Sequence, residues 1–392
     1  MTMNARERIL AALRHQPVDR IPTDIWATGE VWAKLAAHFG PGVDIAKELH
    51  IDGIAGVEPV YAGPALPAVA TDEAIDHWGI RYKAIQYATG TYMEQSCAPL
   101  ADATTIDDLE RHAWPKPDWF DYSKMPDQAR QARQHQALAA GYMAPLYYHT
   151  LLRGMENAMM DPLEQPEFTH HLLHRLCESF YTCHQRLFET CEGLIDLSQV
   201  TDDLGSQTGP LISMDIFREF YKPHMKRFID LCHGHGIMVF HHDDGSCRAF
   251  LPDLVEMGID LLNPIQHNCP GMDMAELKQE FGSRICFHGG VDNQQVLPFG
   301  TPEQVRQEVR DCIDSLASDG TGYIWPLVII SRQCRPCKTS SPCTTRHGAM
   351  ARNDEGGRME AGNIGAWRIT RLHFFDLVSL MTASGIAPDS SF

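Results

Sequence analysis

Short hydrophobic runs that end abruptly in polar residues recur along the second half of the chain. The clearest is Gly236–Gly245 (GIMVFHHDDG), in which four apolar residues precede two histidines, two aspartates and a glycine. Gly193–Gly205, Gly258–His267 and Arg284–Asp292 repeat the pattern, and helix-like segments separate them. Continuous hydrophobic runs of this length are typical of strands buried on both faces of a parallel sheet. Four in succession predict an α/β fold of βα repeats that close into a barrel.

Strand geometry assigns a direction to each polar residue in HHDDG. Because side chains alternate along a strand, His242 and Asp244 share one face and His241 and Asp243 share the other. We expect His242 to face the barrel mouth and His241 to pack between the barrel and its helices. The alternative is a surface loop whose charges are solvated.

Helix signals fill the intervals between these runs. Asn4 is a candidate N-cap, Pro166 is placed to open a long helix to Cys191, and Ser213 caps another. Thr301-Pro302-Glu303-Gln304 combines a capping box with proline at the first helical position. Met143–Tyr148 is a candidate strand. Residues 50–120 are irregular and predict hairpins or an insertion at the barrel mouth.

Composition narrows the class of protein. The 392 residues are 44% hydrophobic and 21% charged, which is ordinary for a soluble globular chain. The formal charge of −18 disfavours nucleic-acid binding. No hydrophobic run approaches the roughly 20 residues of a membrane span, and the charged N-terminus is unlike a signal peptide. Apart from Cys334 and Cys337, the cysteines are scattered, which indicates a reduced, cytoplasmic protein.

Several motifs, read in order, resemble the uroporphyrinogen decarboxylase superfamily. They are LLRGMENAMM, TDDLGSQTG, LISMDIFREFYKPHMKRFID, FHHDDG, GIDLLNPIQ and HGGVDNQQVLPFGTPEQV. The opening NARERILAALRHQPVDRIP resembles the divergent branch near the corrinoid-linked methyltransferases. The resemblance covers about residues 4–324 and implies a (β/α)8 barrel with its substrate at the carboxyl ends of the strands. It implies an enzyme, either a decarboxylase of tetrapyrrole acetate groups or a methyltransferase that works with corrinoid proteins or thiols.

Two departures favour methyl transfer. Uroporphyrinogen decarboxylases carry an arginine-rich early segment resembling RQAGRY, since a substrate with eight carboxylates needs cationic partners. The corresponding DRIPTDIWATGE offers Arg20 alone, and Asp52 only loosely matches the aspartate that follows the next strand. The alternatives are uroporphyrinogen decarboxylase proper, a lyase of porphyrin biosynthesis, and a non-catalytic barrel that binds a ligand or a corrinoid protein.

The resemblance also raises the question of a metal. The methyltransferase branch binds zinc through a His-x-Cys pair and a later cysteine, and zinc lowers the pKa of a bound thiol. Here the pair reads His242-Asp243-Asp244, with aspartate in the cysteine position. His242 and Asp244 are therefore candidate zinc ligands, and Cys247 is the alternative, a buried thiol.

Polar residues at the ends of the predicted strands are candidates for catalysis and for substrate binding. The predicted catalytic residues are His242, Asp244, Asp203 and His288. Those predicted to bind a small-molecule substrate are Asp202, Asn263, Gln266, Asp292 and Arg153. For each residue alone, a structural hydrogen-bonding role is the alternative. A corrinoid protein and a second copy of the chain are candidate partners; nucleic acid and membrane are not.

The C-terminal segment differs from the rest of the chain. Residues 1–324 form the predicted barrel domain, whereas 325–392 lose the periodicity and carry 8 basic against 5 acidic residues. Codons for Trp-Pro-Leu-Val-Ile-Ile, read one base earlier, permit Leu-Ala-Pro-Cys-His-Asn, and the same frame continues into a plausible last helix. We therefore expect a frameshifted, non-native tail that removes the last βα unit and a Cys-His-Asn cluster, leaving an open seam. The alternative is a genuine extension in which Cys334 and Cys337 form a metal clip.

Overall fold

The computed structural model describes residues 2–87 and 90–329. Its strands are β1 (Thr23–Ala27), β2 (Ile54–Gly56), β3 (Val60–Tyr61), β4 (Glu73–Ile75), β5 (Arg81–Tyr87), β6 (Gly90–Cys97), β7 (Phe120–Asp121), β8 (Ala137–Met143), β9 (Leu197–Val200), β10 (Met238–His242), β11 (Leu261–Asn263), β12 (Cys286–His288) and β13 (Tyr323–Ile329).

Helices separate most of these strands. They are α1 (Ala5–Leu13), α2 (Gly29–Phe39), α3 (Ile45–Glu48), α4 (Ile106–Arg111), α5 (Met125–Ala132), α6 (Pro145–Arg153), α7 (Met155–Glu164), α8 (Pro166–Thr190), α9 (Met214–Ile216), α10 (Lys222–Gly234), α11 (Leu251–Met257), α12 (Met274–Phe281), α13 (Val296–Phe299) and α14 (Pro302–Leu316). A 3-10 turn spans Pro117–Trp119, and a π-helical turn spans Phe217–Tyr221.

Eight parallel strands form a nearly closed barrel in the order β1-β13-β12-β11-β10-β9-β8-β2. The backbone amides of Asp52 and Gly53, just before β2, donate to the carbonyl of Thr23 in β1 at 2.9 and 3.0 Å and join the two ends of the sheet. The predicted (β/α)8 barrel is confirmed. Since the strands are parallel, the polar residues after β9, β10, β11 and β12 lie at one edge.

The eighth barrel strand is present. β13 pairs in parallel with β1 from Thr23 opposite Trp325 to Ala27 opposite Ile329, so the strand continues past residue 324. This pairing corrects the expectation of an open seam at this position. The predicted loss of a following helix, and Cys334 and Cys337, concern residues 330–392, which lie outside the described residues.

Helix α1 plugs the amino-terminal end of the barrel. Its Ile9 and Leu13 are buried with Leu197, Phe240 and Ile324 of the barrel interior. Burying each such side chain stabilises the fold by roughly 1.5–3 kcal/mol, so the plug fixes α1 firmly.

Ion pairs hold the same end of the barrel. Asp52 accepts hydrogen bonds from Arg8 in α1 and from both terminal nitrogens of Arg20 at 2.8 Å. Arg20 and Asp52 precede β1 and β2, and they therefore lie at the end opposite the polar strand ends.

Helix starts follow the sequence signals. Asn4, Ser213 and Thr301 each accept a hydrogen bond from a backbone amide of the first helical turn, and α8 begins at Pro166. The candidate strand at Met143–Tyr148 is wrong. The strand is Ala137–Met143, and Pro145 opens α6, because proline suits the first helical position, where no amide donor is needed.

The segment between β2 and β8 leaves the barrel, as expected. It forms a two-stranded pairing of β3 with β7 and an antiparallel β4-β5-β6 sheet.

Across residues 2–87 and 90–329, no helix has both the length and the hydrophobicity needed to cross a bilayer. The cysteines of this part are free thiols, and all except Cys97 and Cys183 are buried.

Candidate active site

Three side chains converge at the carboxyl ends of β9 and β10. His242 ends β10, Asp244 follows it before the turn at Gly245 (φ 84°), and Asp203 follows the neighbouring β9. Nε2 of His242 lies 3.8 Å from Oδ1 of Asp203 and 3.8 Å from Oδ2 of Asp244. One ligand atom from each residue lies within 4.8 Å of the others. We call this set the Asp203–His242–Asp244 cluster.

A chain of hydrogen bonds fixes the ring of His242. Nδ2 of Asn263, which can only donate, lies 2.6 Å from Nδ1 of His288 and 3.3 Å from the His288 carbonyl oxygen. Nδ1 of His288 therefore accepts, and its Nε2–H donates to Oδ2 of Asp24 at 3.1 Å. The amide oxygen of Asn263 then faces Nδ1 of His242 at 2.7 Å, and this nitrogen must donate.

The consequence is a defined tautomer. In a neutral His242 ring, the lone pair lies on Nε2, the nitrogen that faces the two carboxylates. An imidazole lone pair and two carboxylates are suitable ligands for a divalent metal ion. In tetrahedral zinc sites with bonds of about 2.0–2.1 Å, neighbouring ligand atoms are about 3.4 Å apart, so the observed 3.8 Å separations fit after small side-chain rotations.

Asp24 and Trp26, both on β1, complete this arrangement and were missed in the sequence analysis. Nε1 of Trp26 donates to Oδ2 of Asp24 at 3.0 Å, and its ring stacks on His242 at a centroid distance of 5.9 Å. Their spacing of two within β1 places both side chains on one face. This spacing can be read from the sequence, but it does not identify His288 as the hydrogen-bond partner of Asp24.

The opposite face of β10 is structural. His241 is fully buried, and its Nδ1 donates to the carbonyl of Val200 at 2.7 Å, in keeping with the predicted alternation. Burial lowers the pKa of His241 to about 4. Oδ1 of buried Asp243 accepts from the amides of Leu204 and Gly205 at 3.0 and 3.1 Å, which holds the loop after Asp203. Burial raises the pKa of Asp243.

Several residues predicted to bind substrate have structural partners instead. Both oxygens of buried Asp202 accept from the amides of Leu146 and Tyr147 at the start of α6, and burial raises its pKa. Arg153 is 3% exposed and binds both oxygens of Asp161. Neither side chain therefore joins the cluster.

The side chains of Gln266 and Asp292 also accept hydrogen bonds from backbone amides of nearby loops. Oε1 of Gln266 accepts from the amide of Gly245 at 2.8 Å and so supports the turn after Asp244. Oδ1 of Asp292 accepts from the amides of Gln294 and Gln295 at 2.7 and 2.9 Å. The structure thus brings together His242, Asp244, Asp203, Asn263 and His288, with Gln266 beside them.

A cavity of about 620 Å³ adjoins the cluster. Trp26 lines it and stacks on both Phe240, another wall residue, and His242. No lysine or arginine is among the described residues that line it. The volume is in the range of small-molecule sites.

These features define the class of protein, a (β/α)8 barrel with a polar cluster at the carboxyl ends of its strands, where barrel enzymes place their sites. The family follows from comparison with known proteins. The family model of uroporphyrinogen decarboxylase (URO-D) matches residues 85–327, more than half of the chain. The chain belongs to this enzyme family.

Two curated relatives represent different activities. Uroporphyrinogen decarboxylase of Chlorobium phaeovibrioides is 28% identical over 149 residues, which is 36% of this chain and 37% of the relative. Methylated-thiol–coenzyme M methyltransferase of Methanosarcina mazei is 29% identical over 141 residues, which is 34% of this chain and 35% of the relative. Each match spans little more than a third of the relative's length.

A solved structure has the same fold. The methyltransferase from Methanosarcina mazei superposes with a TM-score of 0.55 and 16% identity, covering 85% of this chain and 95% of its own. At this identity the likeness concerns the fold alone.

Proposed function

We propose that this chain is a metal-dependent methyltransferase that acts on a small methylated substrate at the barrel mouth. The acceptor is a thiol or the corrinoid of a partner protein. The observation that carries the proposal is the Asp203–His242–Asp244 cluster, in which Nε2 of His242 faces two carboxylates at 3.8 Å each. The relative of Methanosarcina mazei, which is named for methyl transfer to a thiol, supports the reaction class.

Asp203, His242 and Asp244 would hold a divalent ion, of which zinc is our first choice. Zinc bound there would lower the pKa of a thiol ligand and present a thiolate. Asp244 stands in the cysteine position of the family's His-x-Cys pair, and Asp203 supplies a second carboxylate. Because these ligands offer oxygen and no sulfur, we expect weaker discrimination between zinc and other divalent ions. Cys247 is not a ligand in this proposal, because it is fully buried, its Sγ lies 3.9 Å from Sδ of Met272, and burial raises its pKa.

Tetrapyrrole decarboxylation is less well supported. The family resemblance offers Arg20 and Asp52 for this reaction, yet they bind each other at the amino-terminal end of the barrel. Within the described part of the chain, the cavity wall also has no lysine or arginine to pair with substrate carboxylates. These two observations favour methyl transfer.

Metal analysis of the purified full chain tests the proposal directly. We expect about one divalent ion per chain, and we expect His242→Ala to remove it with little change in thermal stability because the side chain faces the mouth. His241→Ala is the matched control from the same strand. It should retain the metal and lower the stability by about 2 kcal/mol or more, since it empties a buried position.

Activity assays then separate the reaction classes. In protein from a gene with its frame restored, we expect methyl transfer to a free thiol from a member of a panel of small methylated amines and thioethers, and loss of this activity in His242→Ala. A metal-free wild-type protein that releases CO2 from uroporphyrinogen would refute the proposal. Equal metal loss in both histidine variants would contradict the assignment of the strand faces.

A further inference from the structure

Nine of the 27 described residues that line the cavity beside the cluster are Phe, Tyr or Trp. Barrel strands, the segment between β2 and β8 and helices α6 and α8 contribute these rings, among them Trp26, Tyr61, Trp78, Tyr142, Tyr148 and Phe240. Several rings meet at steep angles. The rings of Trp78 and Tyr148 lie 5.1 Å apart at 56°, and those of Tyr61 and Phe120 lie 5.9 Å apart at 73°. The rings of the wall are therefore inclined to one another and do not lie in one plane.

One of these rings connects the cavity to the Asp203–His242–Asp244 cluster. Trp26 stacks on Phe240 at 5.5 Å and on His242 at 5.9 Å. Trp26 therefore lies between the cavity and His242 of the cluster.

The charge of the wall is negative. Glu58 is the acidic side chain in the described lining, and lysine and arginine are absent from that lining. Burial lowers the pKa of His77, and it lowers the pKa of His184 to about 4, so both rings are uncharged at neutral pH.

We infer that this cavity binds a small quaternary ammonium compound, which is the methyl donor of the reaction; the donor role rests on the proposed function. Aromatic faces attract a methylated ammonium through the ring quadrupole, and ring cages are a recurring way to bind such cations. Glu58 supplies the counter-charge. An anionic substrate would meet a carboxylate and ring faces without any cationic partner.

The chemistry of this donor also suits the site. A thiolate sulfur attacks a methyl carbon, a sulfur–carbon bond forms, and the carbon–nitrogen bond breaks. Nitrogen keeps the bonding electron pair, so the leaving group is a neutral tertiary amine and no proton has to be supplied. The reaction involves no change in oxidation state and needs no further reactant.

Calorimetric titration of the full chain with choline tests the binding class. The matched control ligand is the neutral carbon isostere of choline, in which a tert-butyl group replaces the trimethylammonium group. We expect choline to bind at least about tenfold more tightly than this isostere, since shape is equal and only the charge differs. Equal affinity, or no binding of choline, would overturn the inference.

Variants locate the site. Glu58→Gln should weaken choline about fivefold and leave the isostere unaffected, whereas Glu48→Gln, outside the cavity lining, should change neither. Tyr61→Leu should weaken choline, and Tyr61→Phe, which keeps the ring face, should not. Unchanged choline affinity in both Glu58→Gln and Tyr61→Leu would place the binding elsewhere and overturn the inference. Tight choline binding without methyl transfer to a thiol or corrinoid would uphold this cavity and refute the proposed function.

Discussion

Asn263 lies between two histidines and gives each of them a different hydrogen-bonding role. Its oxygen accepts from Nδ1 of His242 at 2.7 Å, and its nitrogen donates to Nδ1 of His288 at 2.6 Å. Asp24 sets the direction of this chain by accepting from Nε2 of His288. The lone pair on Nε2 of His242 depends on the oxygen of Asn263, which accepts from Nδ1, whereas the nitrogen of Asn263 serves His288.

Replacing Asn263 tests this dependence. Asn263→Leu removes the acceptor for Nδ1 of His242, which permits the other tautomer, so we expect zinc affinity to fall about 10- to 100-fold. Asn263→Asp keeps an acceptor at that position and should retain the affinity. Titration with zinc and nitrogen-15 shifts of the His242 ring would measure both effects. Equal loss in both variants would mean that Asn263 acts by packing alone.

At the scale of elements, His184 joins α8 to β8. Its Nδ1 donates to the carbonyl of Phe180 at 2.6 Å, and its Nε2 accepts from the amide of Tyr142 at 2.9 Å. Gly141 makes room for this ring, because a Cβ there would lie 2.6 Å from Cδ2 of His184. Both ring nitrogens are satisfied only in the neutral form, and protonation would set Nε2–H against the Tyr142 amide.

The stability of the fold should therefore depend on pH through His184. Burial lowers its pKa to about 4 from 6.5, so the unfolded chain binds the proton more readily than the folded chain. The neutral His184 ring therefore contributes to the free energy of unfolding. This contribution is fully present above about pH 6.5 and is lost as the pH falls towards about 4. The loss is at most about 3 kcal/mol.

Urea unfolding at a series of pH values would measure this loss. In His184→Gln the side-chain carbonyl can still accept from Tyr142, so we expect the free energy of unfolding to fall less steeply with pH below about 6.5. His38→Gln, on an exposed face of α2, should leave this pH dependence unchanged. An acid limb that is identical in wild type and His184→Gln would contradict the assignment.

At the scale of the whole molecule, β13 closes the barrel against β1. Parallel barrel strands are covered by helices on their outer side, because both faces of such a sheet are apolar. Ile25, on the outer face of β1, is only half-buried. This partial exposure is consistent with our proposal that the tail 325–392 is read in the wrong frame and that the family's last helix is missing from the sequence.

Resequencing the 3′ region of the gene would decide this proposal. We expect independent reads to show a slip near codon 325, and we expect the frame-restored protein to unfold at a higher temperature, because the added helix would cover Ile25 and its neighbours. An unbroken frame through this codon would refute the slip and would leave Cys334 and Cys337 as part of a genuine extension.

Local information was sufficient for much of this protein. Hydrophobic runs with polar ends identified the four strands from β9 to β12, caps identified helix starts, and the alternation in HHDDG placed His242 and His241 on opposite faces. These features depend on residues that are near one another in the chain. The sequence by itself therefore determined the barrel and the edge at which its polar residues gather.

Tertiary structure alone decided which polar residues meet. Asp24 reaches His288 across 264 positions of sequence, and Asp203 reaches His242 from a neighbouring strand. Arg153 and Asp202 looked equally suitable for a ligand, but α7 and the start of α6 satisfied their hydrogen bonds. The physical reason is that a side chain's partners are set by strand register and helix packing, which bring together residues that no local pattern connects.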